Sequence, residues 1–261
     1  MRVKVLYARM LQAKSRGNRQ KEEDINMDHK RIIVALDVNT RQEALHLVNQ
    51  LRGQVGLFKI GSQLFTSEGP SLVRDIIDMG EQVFLDLKFH DIPTTVVKAA
   101  LAAQELGVSM VTLHTCGGLK MMSMVVKELQ PALLRSRRPW ILGVTVLTSL
   151  GERDLKEVGC DFPVQDQVLR LARLAQQAGL DGLVASPAEV ESLRRHFGNS
   201  LRIVTPGIRP TGTQGDDQSR IATPAAAFRA GADYLVIGRP IIASSDPLAS
   251  LNQILKSMHD G

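Results

Sequence analysis

The chain contains few cysteines and few aromatic residues. Only two of its 261 residues are cysteine, and aromatic residues make up 4%. Because Cys116 and Cys160 are far apart and neither has a second cysteine nearby, a disulfide framework and a zinc site are not expected. The low aromatic content leaves little surface for stacking nucleic-acid bases, which argues against a protein that binds single strands.

The sequence also has no long hydrophobic run. No apolar segment approaches the ~20 residues that a membrane-spanning helix requires. The N-terminus lacks the apolar block and the small-residue cleavage site of a signal peptide. At 44% hydrophobic and 23% charged residues, the composition is that of a globular protein. We therefore expect a cytoplasmic protein without a membrane partner.

Positive charge is concentrated at the start of the chain. The net charge is +5, but residues 1–26 hold seven Lys/Arg and three acidic residues, which leaves +1 for the other 235 residues. A nucleic-acid partner for the folded body is therefore not expected. Residues 1–26 also lack sustained periodicity, so we predict a disordered or loosely ordered N-terminal extension. The regular pattern begins at Met27, and residues 27–261 form the predicted folded domain.

Short apolar segments rich in Val, Ile and Leu alternate with longer amphipathic segments from Arg31 onward. Their continuous hydrophobicity is typical of parallel strands buried on both faces. Eight βα units in series predict a single α/β domain, a (β/α)8 TIM barrel, and an open doubly wound sheet is the alternative. The predicted strands are Arg31–Leu36, Val55–Ile60, Gln82–Leu87, Val108–Leu113, Trp140–Leu147, Leu180–Ala185, Leu201–Val204 and Tyr234–Ile237.

Three charges stand at the end of the third predicted strand. Side chains two apart on a strand point the same way, so Asp86 and Lys88 should emerge together, with Asp91 in the turn just beyond. Burying an acid and a base costs several kcal/mol per ion, roughly, unless they are paired or used. A structural ion pair and an active site both explain this pattern.

Polar residues follow nearly every predicted strand. In a barrel these carboxyl ends converge on one rim, where catalytic residues lie, so the pattern favours an enzyme. The rim residues are Asp37, Lys59, Asp86 with Lys88, His114, Thr148, Ser186, Thr205 to Arg209, and Gly238 with Arg239.

Two of these strand ends suit a phosphate group. The segment after strand seven, from Thr205 to Gln218, is long and rich in glycine and polar residues, and Gly238-Arg239-Pro240 follows strand eight. Exposed backbone N–H groups and a guanidinium group bind phosphate well, and loops seven and eight are common phosphate sites in such barrels. A solvated surface loop with a salt-bridging arginine is the alternative.

The charges around strand three predict a site without a metal. Lys59 ends the neighbouring strand two, so two lysines and two carboxylates alternate as Lys59, Asp86, Lys88 and Asp91. The lysines neutralise the carboxylates, which leaves no spare negative charge for a divalent ion. Lys88 is instead a candidate general acid beside the fixed negative charge of Asp86.

Six motifs in order resemble the orotidine 5'-phosphate decarboxylase family, in its bacterial type. The resemblance runs from about residue 30 to the end of the chain. The motifs are Ala35-Leu36-Asp37, Phe58-Lys59-Ile60-Gly61, Asp-x-Lys-x-x-Asp at Asp86, Lys88 and Asp91, Leu147-Thr148-Ser149, Pro206-Gly207-Ile208-Arg209-Pro210 and Gly238-Arg239-Pro240.

The resemblance implies a cofactor-free decarboxylation of orotidine 5'-monophosphate to uridine 5'-monophosphate in pyrimidine biosynthesis. Lys88 would donate the proton within a charged network of Lys59, Asp86, Lys88 and Asp91. Asp91 would come from the neighbouring subunit of a homodimer, and Thr95 would also reach across that interface.

The same resemblance implies the substrate-binding residues. Asp37 and Lys59 would hold the ribose hydroxyls, and Thr148 would contact the pyrimidine. The remaining residues would bind the 5'-phosphate: Arg239 with the Gly238 backbone, and Arg209 and Gln218 from the closing loop, where Gln214 is the alternative to Gln218.

Two other functions fit parts of the sequence. A metal-dependent sugar-phosphate decarboxylase or aldolase of the same superfamily resembles the Asp86–Asp91 region, but those relatives generally carry a glutamate where this chain has Lys59. A non-catalytic nucleotide- or RNA-binding protein would use residues 1–26, and the nearly neutral body argues against it.

Overall fold

In the computed structural model of the chain, residues 28–129, 138–210 and 221–258 are described. The predicted extension at residues 1–26 lies outside the described residues, as do Gln214 and Gln218. Within the described parts of the chain, no helix has the length and hydrophobicity needed to cross a membrane.

Eight parallel strands form a closed barrel in chain order. Each strand pairs with the next, and β8 pairs with β1 through Ile33 and Val236. The predicted TIM barrel is therefore confirmed, and the open-sheet alternative is wrong. The strands are β1 Ile32–Ala35, β2 Leu57–Gly61, β3 Val83–Phe89, β4 Met110–His114, β5 Trp140–Val144, β6 Gly182–Val184, β7 Arg202–Thr205 and β8 Tyr234–Ile237.

Helices cover the outside of the barrel. The first begins at a capping box, because the Glu43 amide donates to the Thr40 hydroxyl at 3.2 Å and the Thr40 amide donates to the Glu43 carboxylate at 3.3 Å. The helices are α1 Arg41–Leu51, α2 Ser62–Asp78, α3 Pro93–Glu105, α4 Gly118–Glu128, α5 Glu152–Glu157, α6 Val164–Ala178, α7 Pro187–Phe197, α8 Pro224–Ala230, α9 Arg239–Ile242 and α10 Pro247–Ser257, with a 3-10 turn at Thr115–Gly117.

The barrel interior changes character along its axis. Its lower part is a hydrophobic cluster that includes Leu57, Phe84 and Met110. Two residues further along the same strands stand Lys59, Asp86 and Thr112, which are also buried. Because residues two apart face the same way, the inward-facing positions change from apolar to polar toward the carboxyl ends. The apolar cluster forms the floor, and the polar residues form a site above it.

Candidate active site

One pocket opens at the carboxyl ends of the strands. Its walls come from strands around the barrel and from the segments after β5, β7 and β8, as expected for this fold. The predicted site residues that line it are Asp37, Lys59, Asp86, Lys88, Thr148, Arg209, Gly238 and Arg239.

Four charged side chains form a continuous row along the pocket wall, in the order Asp37, Lys59, Asp86 and Lys88. The Lys59 ammonium lies 3.1 Å from Asp37 Oδ1 and 3.8 Å from Asp86 Oδ2. The Lys88 ammonium donates to the same Asp86 Oδ2 at 2.9 Å. Asp86 is therefore held between two cations, and each of these four charged side chains has a partner of opposite sign.

The four side chains of this row differ in how deeply they are buried. The side chains of Lys59 and Asp86 are 11% and 12% exposed, whereas those of Lys88 and Asp37 are 33% and 57% exposed. Counter-ions on both sides offset the desolvation of the buried centre. Lys88 is the more accessible of the two lysines, so its ammonium group is positioned to meet a ligand in the pocket.

Lys88 has an unusual backbone. Its φ is +52°, and it is the only non-glycine residue with positive φ in the described ranges. A left-handed conformation at such a residue costs about 1–3 kcal/mol and is common at active sites. The pairing of β3 with β4 is also irregular between Leu85 and Phe89. The predicted strand ends at Leu87, and the period of two that places Asp86 and Lys88 on one face does not reveal this bulge.

Sequence reasoning missed Thr112. Its hydroxyl donates to Asp86 Oδ1 and accepts from the Lys88 amide, both at 2.9 Å, and the residue is fully buried. The available signal was a polar residue at an inward position of an apolar strand. A threonine is so compatible with β-strands that this signal does not stand out.

Two arginines also line the pocket. Arg209 follows β7 and Arg239 follows β8, and both line the pocket with Gly207 and Gly238. Gly207 has a φ of +78°, a conformation that favours glycine. The described lining residues include four cationic and two acidic side chains, so this pocket suits an anion.

Asp91 and Thr95 do not line this pocket. Asp91 is exposed in the turn after β3, where its carboxylate accepts from the Ile92 amide at 2.6 Å. Thr95 is exposed in the first turn of α3. Neither residue contributes to the pocket of its own chain, and their roles across a dimer interface stay predictions.

Two histidines and a cysteine lie at the ends of β3 and β4. His90 follows β3, His114 ends β4, and Cys116 lies in the 3-10 turn just beyond. The rings of His90 and His114 are 5.6 Å apart, and Cys116 Sγ is 4.0 Å from His90 Nδ1. Burial, and then the nearby His90 and Lys88, lower the pKa of His114. Burial also raises the pKa of Cys116. Both groups are therefore neutral near pH 7, and no cluster of three or more metal-binding side chains occurs in the described ranges.

The fold and the pocket together define a TIM-barrel enzyme with a site for an anionic substrate. The model of the Orotidine 5'-phosphate decarboxylase / HUMPS family matches residues 30–254. The chain therefore belongs to this family, as its motifs predicted.

The relatives agree with this assignment. The orotidine 5'-phosphate decarboxylase of Syntrophotalea carbinolica is 51% identical over 231 residues, which are 88% of this chain and 95% of the relative. That of Shewanella sediminis is 50% identical over 232 residues, or 89% of this chain and 98% of the relative. The crystal structure of orotidine 5'-phosphate decarboxylase from Lactobacillus acidophilus superimposes with a TM-score of 0.77 at 36% identity, covering 87% of this chain and 98% of that one. The prediction of an enzyme of this family is confirmed.

Proposed function

We propose that this chain decarboxylates orotidine 5'-monophosphate to uridine 5'-monophosphate and CO2, in de novo pyrimidine biosynthesis and without a cofactor. The observation that carries the proposal is the Asp86–Lys88 pair, 2.9 Å apart, in a pocket that Arg209 and Arg239 also line. A substrate that carries both a carboxylate and a phosphate matches this set of charged residues. The names of the relatives support the same reaction.

Lys88 is the proposed proton donor. When the bond between C6 and the carboxyl carbon breaks, its electron pair stays on C6 as a vinyl carbanion that has no neighbouring group to delocalise it. The Lys88 ammonium stabilises that charge and then transfers a proton to C6, and solvent restores the lysine. Its partly exposed position at the pocket wall supports this role.

Asp86 is proposed to act on the substrate carboxylate. Its own carboxylate is fixed by the Lys88 ammonium and the Thr112 hydroxyl, so it cannot easily turn away from the substrate. Repulsion between the two carboxylates is relieved as neutral CO2 leaves. Lys59, 3.8 Å from the same Asp86 oxygen, keeps this negative charge stable inside the protein.

The rest of the substrate is assigned to the remaining pocket residues. We propose that Asp37 and Lys59 bind the ribose hydroxyls and that Thr148 contacts the pyrimidine. The 5'-phosphate is assigned to Arg239, the Gly238 backbone, Arg209 and Gln218. Binding energy from this remote phosphate can lower the barrier to decarboxylation if it holds the reacting end in place.

The first test is an assay of purified protein with orotidine 5'-monophosphate, which follows the loss of pyrimidine absorbance. We expect turnover that EDTA does not change and that Lys88→Ala abolishes. Lys256→Ala is the matched control, because Lys256 is exposed on α10 and does not line the pocket. If folded protein leaves this substrate unchanged, the proposal is wrong, and magnesium with sugar phosphates becomes the next assay.

We also propose a homodimer in which Asp91 and Thr95 complete the neighbour's site. Exposed Asp91 and Thr95 flank Ile92, a residue that is 65% exposed, so this turn presents both polar residues and an apolar contact to a partner. Mixing inactive Lys88→Ala and Asp91→Asn chains should restore about a quarter of wild-type activity, since half of the dimers are mixed and each has one intact site. Activity that stays at the level of the separate variants would rule out shared sites.

Residues 27–261 are the proposed catalytic domain, and residues 1–26 are proposed to be dispensable. The family match, which begins at residue 30, supports this division. A chain without residues 1–26 should keep full turnover, and a loss of turnover would contradict the division. The cytoplasm is the proposed location, supported by only two cysteines in the chain.

A further inference from the structure

One residue of β4 stands opposite the irregular part of β3. Leu85 pairs with Val111, and Phe89 pairs with Leu113. The three residues 86–88 therefore face Thr112 alone, and the regular pattern of backbone hydrogen bonds is interrupted there. The strand pairing therefore gives the Lys88 amide no acceptor from the β4 backbone.

The Thr112 hydroxyl supplies the hydrogen-bond acceptor that the β4 backbone does not offer to the Lys88 amide. It accepts a hydrogen bond from the Lys88 amide and donates its own hydrogen to Asp86 Oδ1, both at 2.9 Å. A hydroxyl has one donor and two acceptor sites, so a single group can make both bonds. The other Asp86 oxygen, Oδ2, binds the Lys88 ammonium at 2.9 Å. Thr112 thus contacts both members of the proposed catalytic pair.

We propose that Thr112 is a positioning residue for Lys88 and Asp86. This proposal rests on the proposed function, because it links Thr112 to the reaction that Lys88 and Asp86 would perform. The hydroxyl holds the Lys88 backbone in its left-handed conformation and fixes the plane of the Asp86 carboxylate. Together these restraints aim the ammonium group at the reacting atom.

The proposal differs from a purely structural role in a measurable way. Thr112 does not line the pocket and would not touch the substrate, so its removal should leave substrate binding nearly unchanged. Misplacing a catalytic group by about 1 Å can reduce turnover by roughly 100-fold. The effect should therefore fall on kcat and spare KM, whereas general loosening of the barrel would reduce stability without this selectivity.

The test compares Thr112→Val, which removes the hydroxyl at nearly constant shape, with Thr112→Ser, which keeps it. We expect Thr112→Val to lower kcat about 30- to 100-fold with KM within about threefold. Thr112→Ser should recover kcat to within about fivefold of wild type. Thr115→Val is the matched control, because Thr115 is also fully buried on this side of the barrel and its hydroxyl donates to the Val144 carbonyl at 2.8 Å.

Several outcomes would overturn the proposal. One is a folded Thr112→Val protein with kcat within about twofold of wild type. Another is an equal loss in Thr112→Ser or in Thr115→Val, because packing alone would then explain it. If Thr112→Val does not fold, Thr112→Ala, which has a smaller side chain, should show the same selective loss of kcat.

A crystal structure of the folded hydroxyl-free variant gives a readout that does not depend on the substrate. We expect Lys88 to leave the left-handed region and its ammonium to move away from Asp86 Oδ2. An unchanged Lys88 would overturn the positioning role. Wild-type protein that does not decarboxylate orotidine 5'-monophosphate would instead contradict the proposed function, so the two failures are distinguishable.

Discussion

The two ends of the barrel both carry cations, but they use them differently. At the amino end, Arg138 makes two hydrogen bonds with Asp181 at 2.9 and 2.7 Å, and the Arg202 guanidinium lies 4.0 Å from the centre of the Trp140 ring. Arg31 donates there to the backbone carbonyls of residues 232 and 233. These contacts tie strands together, so the cations at this end serve the fold.

At the carboxyl end the charges are arranged around a space. Lys59 and Lys88 share Asp86, and Arg209 and Arg239 line the same pocket. Lys88 has a strained backbone, which nothing at the amino end matches among the described residues. Charge alone therefore does not mark the site. The distinguishing features are buried opposite charges that border a pocket and a strained residue among them.

The largest expected effect separates the two ends by activity. Asp86→Asn removes the carboxylate that pairs with both lysines, so kcat/KM for orotidine 5'-monophosphate should fall by about 10³-fold or more. Steady-state kinetics on folded protein measure this loss. A decrease of less than about tenfold would show that Asp86 serves only as a counter-ion.

The second effect concerns the phosphate side of the pocket. Arg239→Ala should lower kcat/KM for the phosphorylated substrate by about 10²-fold, because remote binding energy is lost in the transition state. Orotidine, which is the substrate without its 5'-phosphate, provides the control. Wild type and Arg239→Ala should process it at equal, low rates, and a further decrease in the variant would mean that Arg239 acts elsewhere.

The third effect belongs to the amino end. Asp181→Ala removes the partner of Arg138 and the acceptor of the Ile141 amide, which donates to its carboxylate at 2.8 Å. The free energy of unfolding should decrease by about 1–3 kcal/mol, with kcat and KM unchanged at a temperature where the protein stays folded. Denaturant unfolding measures the first quantity. A loss of turnover without a loss of stability would contradict the assignment of the amino-end charges to the fold alone.

The smallest effect is a pH dependence from His114. Its pKa is lowered in the folded state, chiefly by burial. Between that lowered value and the ordinary pKa of about 6.5, the unfolded chain binds more protons than the folded one, so stability decreases as pH falls through this window. Melting temperatures measured from pH 7.5 to 5 should show the decrease, and His114→Gln should make it shallower. Identical curves for the two proteins would exclude His114 as the cause.

Much of the site could be predicted because it lies at strand ends. Runs of Val, Ile and Leu identify the strands, and in a closed parallel barrel every carboxyl end meets the same rim. Residues as distant in sequence as Asp37 and Arg239 therefore line one pocket. The fold was confirmed by the eight strands, whereas the catalytic and binding roles stay proposals.

Other parts of the site depend on contacts between strands. Lys59 meets both Asp37 and Asp86 because β2 lies between β1 and β3. The positive φ of Lys88 and the bridging hydroxyl of Thr112 follow from a local mismatch between β3 and β4. No periodicity in a single strand contains this information, because the mismatch is a property of two strands packed side by side.

By itself, the sequence determined the alternation of strands and helices, the apolar barrel and the residues that end each strand, because hydrophobic periodicity and helix capping are local. Only the tertiary structure decided which charges pair, which of them stay buried, and how Lys88 is held. Asp86 and Lys88 lie two apart on β3, but the other contacts, of about 3–4 Å, join residues on different strands, where burial makes each unpaired charge costly.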